Sequence, residues 1–174
     1  MSNYTKGSPD PRRQLQGVKS RASGKAFEAR LNASFDYYRN KGYAQIDKTP
    51  EPMKVLRSLE HGHFETCFDK KAQPDYKGTI NGGRSVMFEA KYTSKDRIYA
   101  DVVNKQQWEY LSQAAKLGAF CYLLVGFPSG NVYKIPWEIW SEMEKYFGRK
   151  YVKESELNNY ICKLHYTGLP MIFD

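Results

Sequence analysis

The hydrophobic positions of this chain change period several times, and each change marks an element. Phe27, Leu31, Phe35 and Tyr38 recur at helical spacing after Ser23. They predict an amphipathic helix that buries one stripe and stops at Gly42. From Tyr43 to Lys48 the period drops to two, with Ala44 and Ile46 on one face, as in a short strand. Thr49-Pro50-Glu51-Pro52 must then run extended, because each proline restrains the residue before it. Two strands are expected from Asp75 to Ile80 and from Arg84 to Thr93, joined by Asn81-Gly82-Gly83. A helix follows, with Asn104 as N-cap and Gln107 at the capping-box position. Leu111, Ala114 and Leu117 form its apolar side, and Gly118 ends it. Ala119 to Gly126 is a continuous apolar run, expected of a central strand covered on both faces. Asn131 to Ile135 reads as another strand, and Pro136 opens a helix carrying Trp137, Trp140, Met143 and Phe147. The order predicts an α/β domain with a mixed central sheet flanked by helices.

Two segments lack such a period. Met1 to Ser23 is rich in Gly, Ser, Pro, Gln and Arg, and is expected to be a disordered basic arm ahead of a domain at residues 24–174. Lys6, Arg12, Arg13, Lys19 and Arg21 oppose only Asp10 there. Such an arm either grips phosphates or merely solubilises the chain. Met53 to Lys71 interleaves basic and aromatic residues around His61-Gly62-His63. Two histidines at that spacing either share a strand face and touch a metal or are simply exposed.

Composition narrows the class of partner. Lys and Arg number 27 against 19 Asp and Glu in 174 residues, a formal charge of +8. That balance favours a polyanionic partner over an acidic one. The three cysteines are widely spaced and form no Cys-x-x-Cys pair, which argues against zinc and a disulfide framework. No apolar run approaches the ~18 residues of a membrane span. No apolar signal segment opens the chain, so a cytoplasmic location is expected, with no membrane partner.

The chemistry concentrates in Pro74-Asp75 and Glu89-Ala90-Lys91. On a strand Glu89 and Lys91 point to one side, and Val86, Phe88 and Ala90 to the other, buried side. The turn decides whether Asp75 joins the charged side. A two-residue turn at Asn81-Gly82 would pair Asp75 with Phe88. The three-residue loop Asn81-Gly82-Gly83 pairs Ile80 with Arg84, and therefore Asp75 with Glu89; Gly83 suits the left-handed position that such a loop needs. Like charges opposed across a ladder destabilise a sheet, and a divalent cation reverses that sign. Carboxylate oxygens are the ligands Mg²⁺ prefers, and a water on that ion is a ready nucleophile for a phosphodiester. Lys91 is placed to orient or deprotonate that water, or to stabilise charge on the phosphate. The bland alternative is a surface hairpin with a solvated Glu–Lys pair.

Several stretches together resemble the RecU family of Holliday junction resolvases. They are Gly24-Lys25-Ala26-Phe27-Glu28 with Tyr37-Tyr38, and Lys48-Thr49-Pro50-Glu51-Pro52. Asp75-Tyr76-Lys77-Gly78, Phe88-Glu89-Ala90-Lys91, Gln107 with Glu109, and the strand Phe120 to Phe127 continue the likeness. Lys153-Glu154-Ser155-Glu156-Leu157 and Gly168-Leu169-Pro170 extend it to the tail. The resemblance covers nearly all of the chain after the arm. It implies a restriction-endonuclease-like fold, a homodimer, and Mg²⁺-dependent (alternatively Mn²⁺-dependent) cleavage of four-way branched DNA to a 5′-phosphate. By the same likeness Asp75 and Glu89 hold metal, Lys91 acts on the water, Glu28 lies at the site and Gln107 assists. It also places a projecting stalk at residues 53–72, although Met53 to Lys71 differs from the family's stalk sequence. Expected DNA contacts are Arg12, Arg13, Lys19, Arg21, Lys25, Lys48, Arg57, Lys70 and Lys71, with His63 and Phe64 at the stalk. A recombinase is a further candidate partner. A sequence-specific endonuclease on the same fold and a non-catalytic DNA-binding or annealing module are the competing readings.

Overall fold

The computed structural model of the chain describes residues 11–50, 53–68 and 73–174. The elements run in order as α1 (Pro11–Asn40), β1 (Ala44–Lys48), β2 (Met53–Ser58), β3 (Phe64–Phe68), β4 (Tyr76–Ile80), β5 (Arg84–Tyr92) and β6 (Arg97–Tyr99). They continue with α2 (Lys105–Lys116), β7 (Phe120–Gly126), β8 (Val132–Pro136), α3 (Trp137–Ser141) and α4 (Met143–Phe147). The chain finishes with β9 (Tyr151–Lys153), β10 (Lys163–Leu164) and β11 (Pro170–Met171). Five strands form the main sheet in the order β1-β4-β5-β7-β8. All its pairs are antiparallel except β5 with β7, which are parallel and joined through α2. This is the mixed α/β sheet that the alternating periods predicted.

Strand alternation divides the core into two layers. Val86 and Phe88 of β5 and Leu124 of β7 face α1, where they meet the helical stripe of Phe27, Leu31, Phe35 and Tyr38. Cys121, Leu123 and Val125 face the other way, onto Leu111 and Ala114 of α2 and Trp137 and Trp140 of α3. Met87 packs on that second layer, so the neighbouring same-face positions 89 and 91 of β5 also lie on the α2 side.

Helix α1 begins at Pro11, not after Ser23, so residues 11–23 are helical and not a disordered arm. Proline suits the first helical position, and Arg12, Arg13, Gln14, Leu15 and Gln16 are good helix formers. Leu15 and Val18 are exposed there, so no buried stripe announces this part of the helix. Leu117 is 89% exposed and does not join the apolar side of α2. The expected single helix after Pro136 is two short ones, interrupted at Glu142 (φ −110°, ψ 36°).

The segment that lacked a period is a hairpin. Among the described residues strands β2 and β3 pair only with each other, with an irregularity between Val55 and Arg57. Met53, Val55, Leu56 and Phe64 are all exposed on it, so these residues add nothing to the buried core.

Two glycines test the close approaches within this frame. At Gly78 a Cβ would lie 1.9 Å from the carbonyl oxygen of Gln45 on the adjoining strand, a backbone atom that cannot swing aside. Gly24, on α1, faces open space. We expect Gly78→Ala to destabilise by about 3 kcal/mol or more, and Gly24→Ala to stabilise by roughly 0.5–1 kcal/mol. Denaturant unfolding of the two variants checks both signs.

Candidate active site

The hairpin β4–β5 takes the register of the three-residue loop. Ile80 pairs with Arg84 and Tyr76 with Phe88, and the same progression sets Asp75 opposite Glu89. Gly82 and Gly83 both adopt left-handed backbone (φ 84° and 75°), which is why the loop carries glycine. The two carboxylates are directly engaged with one another's strands. The Asp75 N–H points at Glu89 Oε2 across 3.3 Å, and the Ala90 N–H donates to Asp75 Oδ2 at 3.0 Å.

Glu89 is 0% exposed, which removes the solvated-pair alternative. A buried carboxylate demands partners, and two side chains supply them. Lys91 Nζ lies 2.7 Å from Glu89 Oε1, and the Lys91 side chain remains 24% exposed. Gln107 Nε2 donates to the same oxygen at 2.6 Å. Gln107 is held for this by the start of α2. Its backbone N–H donates to Asn104 Oδ1 at 2.9 Å, and its Oε1 accepts the Asn104 N–H at 3.3 Å. With Oε1 committed to the cap, the Nε2 end must face Glu89. The capping role and the site role therefore coexist in one side chain.

Electrostatics at Glu89 are unfavourable to its charge. Burial pushes its carboxyl up to about 7, the nearby Asp75 carboxylate adds to that shift, and Lys91 pulls against it. A divalent cation suits a pair of opposed carboxylates, because hard oxygen ligands are what it binds. Among the described residues no three His, Cys, Asp or Glu side chains gather in one place. A cation here would take one or two protein carboxylates and complete its shell with water and phosphate oxygens, as Mg²⁺ commonly does.

The remaining expected residues are more dispersed. Glu28 is half-buried on α1 and pairs with Lys48 at 2.5 Å. Its carboxylate and that of Asp75 both act on the phenol of buried Tyr76, which burial chiefly holds above its usual pKa. Glu28 is thus tied to Lys48 and acts electrostatically on Tyr76. Lys19, Arg21 and Lys25 are exposed along α1, and Arg12 and Arg13 fall in its first turn. Arg57 is exposed on the β2–β3 hairpin beside Glu65, at 3.5 Å, and His61, His63 and Phe64 are exposed near its turn. Lys70 and Lys71 lie outside the described residues. Sequence patterns missed Thr49, which contacts the backbone of Pro74 and Asp75, and Asn32, which accepts from the Tyr76 hydroxyl at 2.8 Å. Neither belongs to a charged motif; only the position of Thr49 in an extended segment before a proline set it apart.

The site is a buried acidic residue on the central strand of a mixed α/β sheet, set against a second carboxylate, with a lysine on the same face. The chain belongs to the RecU family: the model of that family, recombination protein U, matches residues 22–173. The Holliday junction resolvase RecU of Bacillus pumilus (strain SAFR-032) is 29% identical over 176 residues, spanning 90% of this chain and 84% of its own. That of Geobacillus sp. (strain WCH70) is 28% identical over 156 residues, spanning 84% and 76%. That of Streptococcus pneumoniae (strain Hungary19A-6) is 31% identical over 113 residues, spanning 61% and 56%. Among solved structures, the Holliday junction resolvase Hjc of Archaeoglobus fulgidus aligns with a TM-score of 0.49 and 16% identity, over 79% of this chain and 89% of that one. Among the described residues no helix is long and apolar enough to cross a membrane.

The raised Glu89 pKa makes stability depend on pH. In the unfolded chain a glutamate ionises near ~4.3. Between roughly pH 4 and 7 the folded state therefore holds a proton that the unfolded state has released, and stability falls as pH rises through that window. Glu89→Gln removes this effect. From pH 4.5 to pH 8, without divalent ions, the stability difference should move in the variant's favour by up to about 3 kcal/mol. Urea unfolding at the two pH values measures it; a difference independent of pH would contradict the assignment.

Proposed function

We propose that this protein is a divalent-metal-dependent, structure-selective endonuclease that resolves four-way DNA junctions. The observation that carries the reading is the buried Glu89 carboxylate set against Asp75, with Lys91 and Gln107 on it, in a chain of the RecU family. Asp75 and Glu89 hold the cation, Mg²⁺ by its preference for carboxylate oxygen, with Mn²⁺ as a substitute. When bound, the cation supplies Lewis acidity and a water of lowered pKa. The protein's own groups do the rest. Gln107 and Lys91 hold Glu89 in one orientation. Lys91, the more exposed of the two, reaches toward solvent and is placed to orient the attacking water or to offset charge on the phosphate. Attack by water in line with the departing sugar oxygen leaves a 5′-phosphate and a 3′-hydroxyl.

The formal charge of +8 and the exposed cations of α1 support binding to a polyanion. The β2–β3 stalk offers a projection that a branch point has room for and a linear duplex has not. Two strands must be cut to resolve a junction, and a symmetric homodimer supplies two equivalent sites.

Cleavage of a four-way junction, a linear duplex and a single strand, each with Mg²⁺ and with EDTA, tests the reading. We expect cutting of the junction alone, abolished by EDTA. Asp75→Asn and Glu89→Gln should each slow cutting by about a hundredfold or more while junction affinity stays within about twofold, because binding rests on phosphate contacts elsewhere. Equal cutting of junction and linear duplex would favour a sequence-specific nuclease. Absence of cutting with retained binding would favour a DNA-binding module.

A further inference from the structure

Thr49 stands where β1 ends, and it is 8% exposed. Its backbone N–H donates to the Asp75 carbonyl at 2.8 Å, extending the β1–β4 register by one residue beyond Lys48–Tyr76. Its hydroxyl donates to the carbonyl of the preceding residue, buried Pro74, at 2.6 Å. One residue thus grips two consecutive carbonyls at the point where Asp75 enters the sheet. The Asp75 N–H itself meets the Glu89 carboxylate, a side chain of β5. The backbone purchase on Asp75 that comes from β1 therefore comes from Thr49.

The place in the chain adds to this. Thr49 precedes β2 and Pro74 follows β3, so the hydroxyl bond ties the two ends of the stalk together at its root. A hairpin pulled by bound DNA would drag Asp75 unless its root were closed.

We propose that Thr49 is a positioning residue: its side-chain hydroxyl, through Pro74, sets the Asp75 carboxylate against Glu89 and isolates it from movements of the stalk. The inference rests on the reading of Asp75 as a metal-holding carboxylate. Misplacement of a reacting group by about 1 Å can cost on the order of a hundredfold in rate, so a single distant hydrogen bond can matter to chemistry.

The test compares wild type, Thr49→Val, which keeps the shape and loses the hydroxyl, and Thr49→Ser, which keeps the hydroxyl. Two readouts are taken from the whole chain. The first is amide hydrogen exchange at Ala90, whose N–H donates to Asp75 Oδ2 and so reports where that carboxylate sits, with Phe88 on the same strand as internal control. The second is single-turnover cleavage of a four-way junction with Mg²⁺, alongside junction affinity measured without it. In Thr49→Val we expect Ala90 to exchange about tenfold faster with Phe88 unchanged, and cleavage to slow about tenfold at unchanged affinity. Thr49→Ser should restore both to within about twofold of wild type. Unchanged Ala90 exchange in Thr49→Val would overturn the proposal, as would faster exchange at Ala90 and Phe88 alike, which would mark a general loss of stability. If wild type itself cuts no DNA, the proposed function fails, and the exchange at Ala90 still decides whether Thr49 positions Asp75.

Discussion

A carboxylate with no exposed surface, in the middle strand of a five-stranded sheet, is the constraint around which this protein is arranged. Removing a charge from water is costly, and a fold retains such a group only with partners at hand. Glu89 has them from three directions: Lys91 from its own strand, Gln107 from the start of α2, and the Asp75 amide from the neighbouring strand. The last of these brings a second carboxylate with it. Burial, with the Asp75 carboxylate beside it, raises the pKa of Glu89, and Lys91 pulls against that rise.

Much of the surrounding architecture follows from keeping this arrangement in register. The hairpin loop must contain three residues, because one fewer would turn Asp75 to the α1 side of the sheet. Its second and third residues must tolerate left-handed backbone, and both are glycine. The α1 layer gives β5 a fully apolar face through Val86 and Phe88, so the polar face is free to carry chemistry. The α2 layer covers that polar face but opens at the helix N-terminus, where the capping residue doubles as the Glu89 partner. Beside β4, strand β1 approaches so closely that Gly78 has no room for a side chain. The same strand delivers Thr49 to the backbone of Asp75.

The parts legible in the sequence were those governed by short-range rules. Turn length set the pairing of Asp75 with Glu89, the Asn104–Gln107 spacing marked a capping box, and the stripe from Phe27 to Tyr38 marked the packed part of α1. What escaped lacked a local signature. In the first part of α1 Leu15 and Val18 are exposed, so helix propensity and not a buried stripe is what the sequence offers there. Leu117 continues the helical spacing of Leu111 and Ala114, yet it sits at the helix C-cap, where the chain turns out into solvent. The β2–β3 hairpin exposes apolar residues on both strands and therefore shows no inside and outside. Thr49 acts through backbone carbonyls brought together by folding, and no spacing rule points to a contact of that kind.

Family membership says what the relatives do; the carboxylate pair says how this chain would do it. The central physical claim is that burial and Asp75 raise the Glu89 carboxyl toward neutral pH, and that a divalent cation held there would reverse that shift. Following the side-chain carboxyl carbon of Glu89 by ¹³C NMR across pH, with and without Mg²⁺, measures this directly. Without the ion the carboxyl should titrate near pH 7. With saturating Mg²⁺ the midpoint should drop toward or below the ordinary glutamate value of about 4.3. A midpoint already at the ordinary value, or one that Mg²⁺ leaves in place, would contradict the claim.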